Sequence, residues 1–446
     1  MSNDSPRLVH DHATLKFPEG FLWGASTSAF QVEGNVINSE WWNWEQTHQT
    51  ASKRSCLAAN QYNLYEEDFK LAKSLSHSTH RLSIEWSRIE PLNGIFSLNE
   101  IDHYKAVLTS LKEKNMKVML TLHHFSNPLW FAKIGGWTND KASFYFERFV
   151  RKIVPELKEY VDLWITINEP NVYSFLAYRS KHFPPQKKSW WLFLKSYYQM
   201  AKAHKKAYNT IHELDKKAQV GFSNNTASFN ALHQHNIQEG LTEYFADVAK
   251  NHSFYILTGK KTHDFLGINY YQNQYISLNG EAILPSLVEI KRGQADISDL
   301  GWEILPEGIF DIIMDFSDYH LPIYITENGI ATLNDDRRVR FLISYLKEIY
   351  HAIQFGVDIR GYYYWSLIDN MELDQGFDPR FGLIGVDFKT QKRTIKPSAL
   401  VYQDIIKFNG IPHHLLKLLG HSIDVQEVLK IKNKKGMSKA KFATMF

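Results

Sequence analysis

The sequence is poor in cysteine, in long apolar runs and in excess charge, and each lack excludes a class of protein. A single cysteine, Cys56, in 446 residues rules out an intrachain disulfide framework and a thiolate metal cluster. No apolar stretch approaches the ~20 residues that a membrane-crossing helix needs. Lys+Arg number 51 against 48 Asp+Glu, a balance that argues against a nucleic-acid footprint across the whole chain. There is no glycine-rich dinucleotide fingerprint, no phosphate loop, and no fixed-period repeat beyond a strand–helix unit. Residues 1–16 are polar and lack the apolar core of a secretory signal, so a cytoplasmic location is expected.

Aromatic residues, by contrast, are plentiful: 12 Trp, 23 Tyr and 28 Phe make 14% of the chain. That richness suits a large core or a surface that stacks on flat apolar ligand faces. Hydrophobic residues at 44% and charged residues at 22% exclude wholesale disorder.

Eight apolar, β-branched or aromatic runs of strand length recur, at 21–27, 80–86, 117–124, 161–168, 219–225, 264–271, 322–327 and 361–367. Several are apolar almost throughout, as strands buried on both faces are. Helical periodicity lies between them, at 62–75, 99–115, 139–160, 192–214, 303–319, 335–355 and 397–408. Asp335 or Asp336 is the expected cap of its helix, and Gly356 stands where a helix C-terminus wants glycine. Eight alternations predict an α/β fold, a single-domain (β/α)8 TIM barrel over 17–410. A polar segment, 1–16, precedes it. The last segment, 411–446, has seven Lys and two acidic residues and reads as a basic tail with a short helix at 422–431.

Such a barrel does its chemistry at the C-terminal ends of its strands. Polar residues gather there: Gln31 and Glu33 after the first strand, Arg81 and Glu85 in the second, His123-His124, Asn168-Glu169, Asn224-Asn225, Asn269-Tyr270-Tyr271, Glu327-Asn328 and Trp365-Ser366. One strand-end carboxylate is more often a cap or an ion-pair partner, and one such histidine more often a core residue. The conjunction is different. Two carboxylates facing each other across a barrel mouth, with amides, an Arg, a His and indoles, describe a sugar site, and two carboxylates are the minimum apparatus for glycoside cleavage.

The motifs are similar to those of a known family. They are Phe17-Pro18-Glu19-Gly20-Phe21-Leu22-Trp23-Gly24, Gln31-Val32-Glu33-Gly34, Arg81-Leu82-Ser83-Ile84-Glu85-Trp86-Ser87-Arg88, Thr166-Ile167-Asn168-Glu169-Pro170-Asn171, Gly267-Ile268-Asn269-Tyr270-Tyr271, Ile325-Thr326-Glu327-Asn328-Gly329 and Trp365-Ser366-Leu367-Ile368-Asp369-Asn370-Met371-Glu372. Over about 17–409 the chain resembles the family 1 glycoside hydrolases, retaining β-glycosidases on a (β/α)8 barrel. The resemblance implies Glu169 as general acid/base and Glu327 as nucleophile, with carboxyls about 5–5.5 Å apart. It implies Arg81 and Tyr271 as the groups that hold Glu327, and Asn168 as the amide on the sugar 2-hydroxyl. Gln31, His124, Asn269 and Glu372 would serve the glycon, Trp365 would lie under it and Phe381 would wall it. Trp137 is a further pocket candidate. No metal and no cofactor are implied; the expected partner is a small β-glycoside or oligosaccharide, not nucleic acid.

Departures from the family pattern are informative. Leu373 stands where the family has Trp after the glycon-binding Glu. The loss of an indole donor there weakens glycon binding by about 0.5–1.5 kcal/mol. Phe125-Ser126 replaces the family's aromatic–acidic pair. The stretch from Glu169 to Glu327 is short for the family, with the deficit at 228–261, so a reshaped outer site is expected; Trp41, Trp42, Trp44, Trp190 and Trp191 either line it or pack beneath loops. Glu372 points to an unphosphorylated sugar. A transglycosylase using the same intermediate and a catalytically idle sugar-binding barrel are the alternatives.

Overall fold

The computed structural model describes residues 15–233, 235–277, 286–288 and 296–419. The helix expected at 422–431 lies outside the described residues. Eight parallel strands close into a barrel: β1 (Leu22–Ser26), β2 (Thr79–Ser83), β3 (Lys117–Thr121), β4 (Leu163–Asn168), β5 (Val220–Ala231), β6 (Leu266–Ser277), β7 (Ile323–Asn328) and β8 (Ile359–Trp365). Each pairs with the next, and β8 returns to β1 through Gly361↔Leu22 to Trp365↔Ser26.

Alternation along the strands builds two apolar layers. Met119, Leu163, Ile165, Phe265, Tyr324 and Tyr363 form one cluster, separate from the main core. Their neighbours Val118, Leu120, Trp164, Ile323, Ile325, Tyr362 and Tyr364 belong to the larger core that the helices share. Burying such a side chain contributes about 1.5–3 kcal/mol. The smaller cluster plugs the barrel beneath the polar strand ends.

Several elements differ from expectation for local reasons. β5 and β6 run six residues beyond their expected ends, because past the barrel they continue as a paired ribbon, Ala227↔Gln272 to Ala231↔Ile276. The cap of the helix Asp335–Gln354 is Asn334, whose side chain accepts from the Arg337 N–H. Asp335 is otherwise engaged: its carboxylate takes Arg338 and the N–H and hydroxyl of Ser398, at 2.7 and 2.8 Å. Gly356 follows that helix with φ +89°. The packed chain continues beyond 410. Gly410–Ile411 pairs antiparallel with Leu15–Lys16, and Ile411, Leu415 and Leu416 are buried as this stretch packs beside the helices Asp335–Gln354 and Pro397–Phe408.

Candidate active site

The polar strand ends meet over the apolar plug. Glu327 lies near the end of β7 and is 4% exposed. Two donors hold it. Arg81, on β2 and 1% exposed, forms an ion pair with Oε1, and the Tyr271 hydroxyl donates to Oε2 at 2.7 Å. Burial, then the charge of Glu327, keeps the Tyr271 phenol well above its ordinary pKa, so it remains a donor. The same guanidinium donates to Asn168 Oδ1 at 2.6 Å and to Thr121 Oγ1 at 3.3 Å. Arg81 therefore ties β2, β3, β4 and β7 together at one point. Gly329 lets the chain after Glu327 pass close to the end of β8: a Cβ there would sit 1.9 Å from the Trp365 carbonyl oxygen.

Glu169 follows β4 with φ +45°, and Pro170 opens the helix Pro170–Tyr178. Proline at the first helical position lacks only an N–H that would go unpaired, so the strand can turn sharply into a helix here. Among the described residues no cation makes a hydrogen bond to Glu169. Its Oε1 accepts from Asn225 Nδ2 at 2.9 Å and Asn269 Nδ2 at 2.8 Å. Burial, and next the charge of Glu327, lifts its pKa to about 7. Asn269 is aimed by Thr326, whose hydroxyl donates to its Oδ1 at 2.6 Å, and it also reaches Asn168 at 3.2 Å.

The glycon-side residues form the adjoining wall. Trp365 Nε1 donates to Glu372 Oε1 at 3.2 Å, and Gln31 Nε2 approaches Oε2 at 3.4 Å. Burial raises Glu372 to about 8 against those two donors. His124 stacks on Trp365 at 5.9 Å and pairs with Asn168 at 3.2 Å. Burial, then Arg81, holds His124 well below its usual pKa, so it is a neutral imidazole. Phe381 packs on Tyr271 at 6.2 Å. Gln31, Arg81, His124, Asn168, Glu169, Asn269, Tyr271, Glu327, Trp365, Glu372 and Phe381 thus join one contact network.

Other candidates fall elsewhere. Trp137 is fully buried and donates to Asn127 Oδ1 at 2.9 Å, supporting His123 from behind. Trp41 and Trp44 are buried and Trp42 half-buried, and Trp190 and Trp191 project into solvent, Trp190 packing on Phe175, Phe193 and Arg179. Leu373 is buried in the main core with φ +48°.

Sequence reasoning missed three features. Asn225 was visible only as a strand end. Trp302 packs 5.6 Å from Tyr271 and 6.3 Å from Phe381 and carried no motif signal. Lys250 sits in a π-helical turn, Val248–His252, inserted between β5 and β6. It is half-buried; burial lowers its pKa to about 8, and Glu169 opposes that shift. Asn171, two residues after Glu169, ties the turn down by donating to the Lys250 carbonyl at 3.0 Å and the Asn225 carbonyl at 2.8 Å.

The next residues of the turn anchor it further. His252 lies 2.6 Å from Asp315 and 3.4 Å from Asp247. The three offer ligand-type atoms within 4.8 Å of one another. Burial lowers the pKa of His252, but the two carboxylates outweigh it and lift it to about 9. Below that pH the ring is a cation paired with the two carboxylates, which fastens the turn to the helix that carries Asp315.

The sequence profile described as glycosyl hydrolase family 1 matches residues 13–254 and 245–411. The chain belongs to glycosyl hydrolase family 1. Members act on O-glycosyl bonds, and this one is a β-glycosidase. It is 29% identical to a 1,4-β-D-glucan glucohydrolase of Thermotoga neapolitana, over 89% of this chain and 99% of the relative. The structure is similar to that of a β-glycosidase from Pyrococcus horikoshii, with TM-score 0.86 and 34% identity over 92% of this chain and 99% of that one. The family 1 hydrolase is also 32% identical, over 77% of its length, to the chloroplastic galactolipid galactosyltransferase of Arabidopsis thaliana, of which the match covers 57%.

Proposed function

We propose that the protein is a retaining exo-β-glycosidase that hydrolyses unphosphorylated β-D-glycosides by double displacement. The observation that carries this reading is the unequal treatment of two adjacent carboxyls. Glu327 is held by a cation and a phenol, whereas Glu169 has amide donors and a pKa near 7. A neutral acid beside a charged nucleophile is what glycosidic cleavage requires.

In the first step Glu327 Oε2 attacks the anomeric carbon while the Glu169 proton passes to the leaving oxygen. A covalent glycosyl-enzyme and the free aglycone result. With Glu327 esterified, its charge, the second cause after burial of the raised Glu169 pKa, is gone, which makes the carboxylate form easier to reach. Glu169 then takes a proton from water, which attacks the anomeric carbon and releases Glu327. Asn168, fixed by Arg81, is positioned for the sugar 2-hydroxyl. Glu372, Gln31 and His124 supply the remaining hydroxyl partners, and two hydroxyls donating to Glu372 would restore its charge. Trp365, Phe381 and Trp302 offer apolar faces to the ring.

A panel of nitrophenyl β-glycosides of glucose, galactose, fucose, mannose, xylose and 6-phosphoglucose tests the reading, with Glu327→Ala alongside. Turnover of unphosphorylated sugars by the parent alone supports it. Silence across the panel with sugar binding retained would favour the idle barrel. The likeness to a galactosyltransferase favours one second reading, transfer of the glycosyl group to an alcohol. A product partition dominated by glycosyl transfer to added glycerol, at low acceptor concentration, would establish that reading over hydrolysis.

A further inference from the structure

Residues 170–212 contain no Asp or Glu and carry eight Lys and Arg, which leaves a net of −5 in the rest of a +3 chain. This run leaves β4 directly after Glu169 and forms the adjoining rim of the barrel mouth. His182 lies 3.3 Å from Asp374, two residues past Glu372. Phe183 wedges between Trp41 and Phe125, at 4.8 and 5.5 Å. Ser189 then caps the helix Trp190–Leu214.

The first turns of that helix turn large apolar groups to solvent. Trp190 is 57% exposed, Trp191 71%, Leu194 56% and Tyr198 54%, at spacings that place them on one face. Cations attend them: Arg179 stacks over Trp190 at 4.6 Å and Lys202 over Tyr198 at 5.7 Å. Lys181, Lys187 and Lys188 are exposed and make no ion pair among the described residues. The next rim element, the helix Ile237–Asp247, adds Ile237 and Phe245, 79% and 65% exposed. Large apolar side chains turned to solvent along one helix face in this way mark an interaction surface. Amphipathic aromatic rings interleaved with unpaired lysines match one partner in particular. Rings settle at the head-group level, lysine stems lie along them, and ammonium groups meet lipid phosphates.

We propose that this face docks the barrel mouth on an anionic phospholipid bilayer and presents the pocket to β-glycosides whose aglycone is a membrane lipid. The docking stands on the surface itself; the choice of substrate rests on the β-glycosidase reading. Among the described residues no helix is long and apolar enough to cross a membrane, so the contact is with the bilayer surface.

Co-sedimentation with phosphatidylcholine vesicles, with and without phosphatidylglycerol, tests it on the full chain. The expected result is binding only when phosphatidylglycerol is present, released by high salt. Lys187→Glu/Lys188→Glu and Trp190→Ala/Trp191→Ala should each weaken it about ten-fold or more, with nitrophenyl glycoside hydrolysis unchanged. Hydrolysis of a β-glycosyl diacylglycerol embedded in those vesicles should fall by the same factor. No binding, equal binding to both vesicles, or variants that bind like the parent would overturn the docking. So would a lipid-free dimer dispersed by Trp190→Ala/Trp191→Ala, which would make a second copy the occupant, or a preference for RNA oligonucleotides over vesicles. Vesicle binding is read whether or not the aryl glycosides turn over, so failure of the glycosidase reading shows separately.

Discussion

The two sides of the barrel mouth treat the same functional group in opposite ways. On the β7 side, Glu327 sits against a guanidinium and a phenol, and its negative charge is compensated within hydrogen-bond distance. On the β4 side, Glu169 meets two amides, and burial with Glu327 lifts its pKa to about 7. Carboxyl chemistry in this protein is therefore assigned by neighbours and not by residue type. An Arg from β2 and a Tyr from β6 meet one Glu and two Asn meet the other, although the chain brings these groups from five different strands.

Removing each carboxyl should break that contrast most severely. Glu327→Ala should lower kcat by about 10⁴-fold or more, as loss of a covalent nucleophile does; azide added to the variant should return an α-glycosyl azide, identified by NMR. Glu169→Ala should cost about 10²–10⁴-fold on substrates with poor leaving groups. Its kcat/KM on a dinitrophenyl glycoside, whose departure needs no acid, should stay near that of the parent, while kcat falls because Glu169 also activates the water of the second step. Equal losses of kcat/KM on both substrates would assign the acid role elsewhere.

Tyr271→Phe probes the compensated side alone. It removes one hydrogen bond to a charged acceptor, worth about 1.5–3 kcal/mol, so kcat/KM should fall about 10–100-fold. Lys250→Met probes the other side and has the smallest effect. Glu169 must be protonated to act as an acid, so kcat/KM should fall as pH rises through about 7. Lys250 lowers the Glu169 pKa, and its removal should move that falling limb upward while kcat at pH 6 is kept. A limb that stays in place would remove Lys250 from the electrostatics of the site.

How much of this was legible in the sequence follows from the range of the forces involved. The eight strands were, because burial on both faces leaves a local apolar signature, as in Val118–Leu122. The eleven residues of the contact network were legible from strand-end position and family motifs. Features held by distant partners were not. Trp302 enters the site from a loop, by packing on Tyr271 and Phe381. Lys250 arrives through a π-helical turn fixed by Asn171 and by the His252 ion pair, and nothing in its neighbouring residues announces that geometry. The overruns of β5 and β6 were hidden by their own composition, since Asn, Ser and Gln fill the ribbon that extends past the barrel. Asp335 looked like a cap, but Ser398, brought in by tertiary structure, and Arg338, one turn on in the same helix, take its carboxylate.

The central claim is that Glu327 becomes covalently glycosylated while Glu169 does not. Incubation with a 2-deoxy-2-fluoro-β-glycoside that carries a dinitrophenyl leaving group, followed by proteolysis and mass spectrometry of the labelled peptide, tests it directly. The account predicts one fluoroglycosyl group per chain, on Glu327. A label on Glu169 or any other residue, or turnover with inversion and no trapped intermediate, would contradict it.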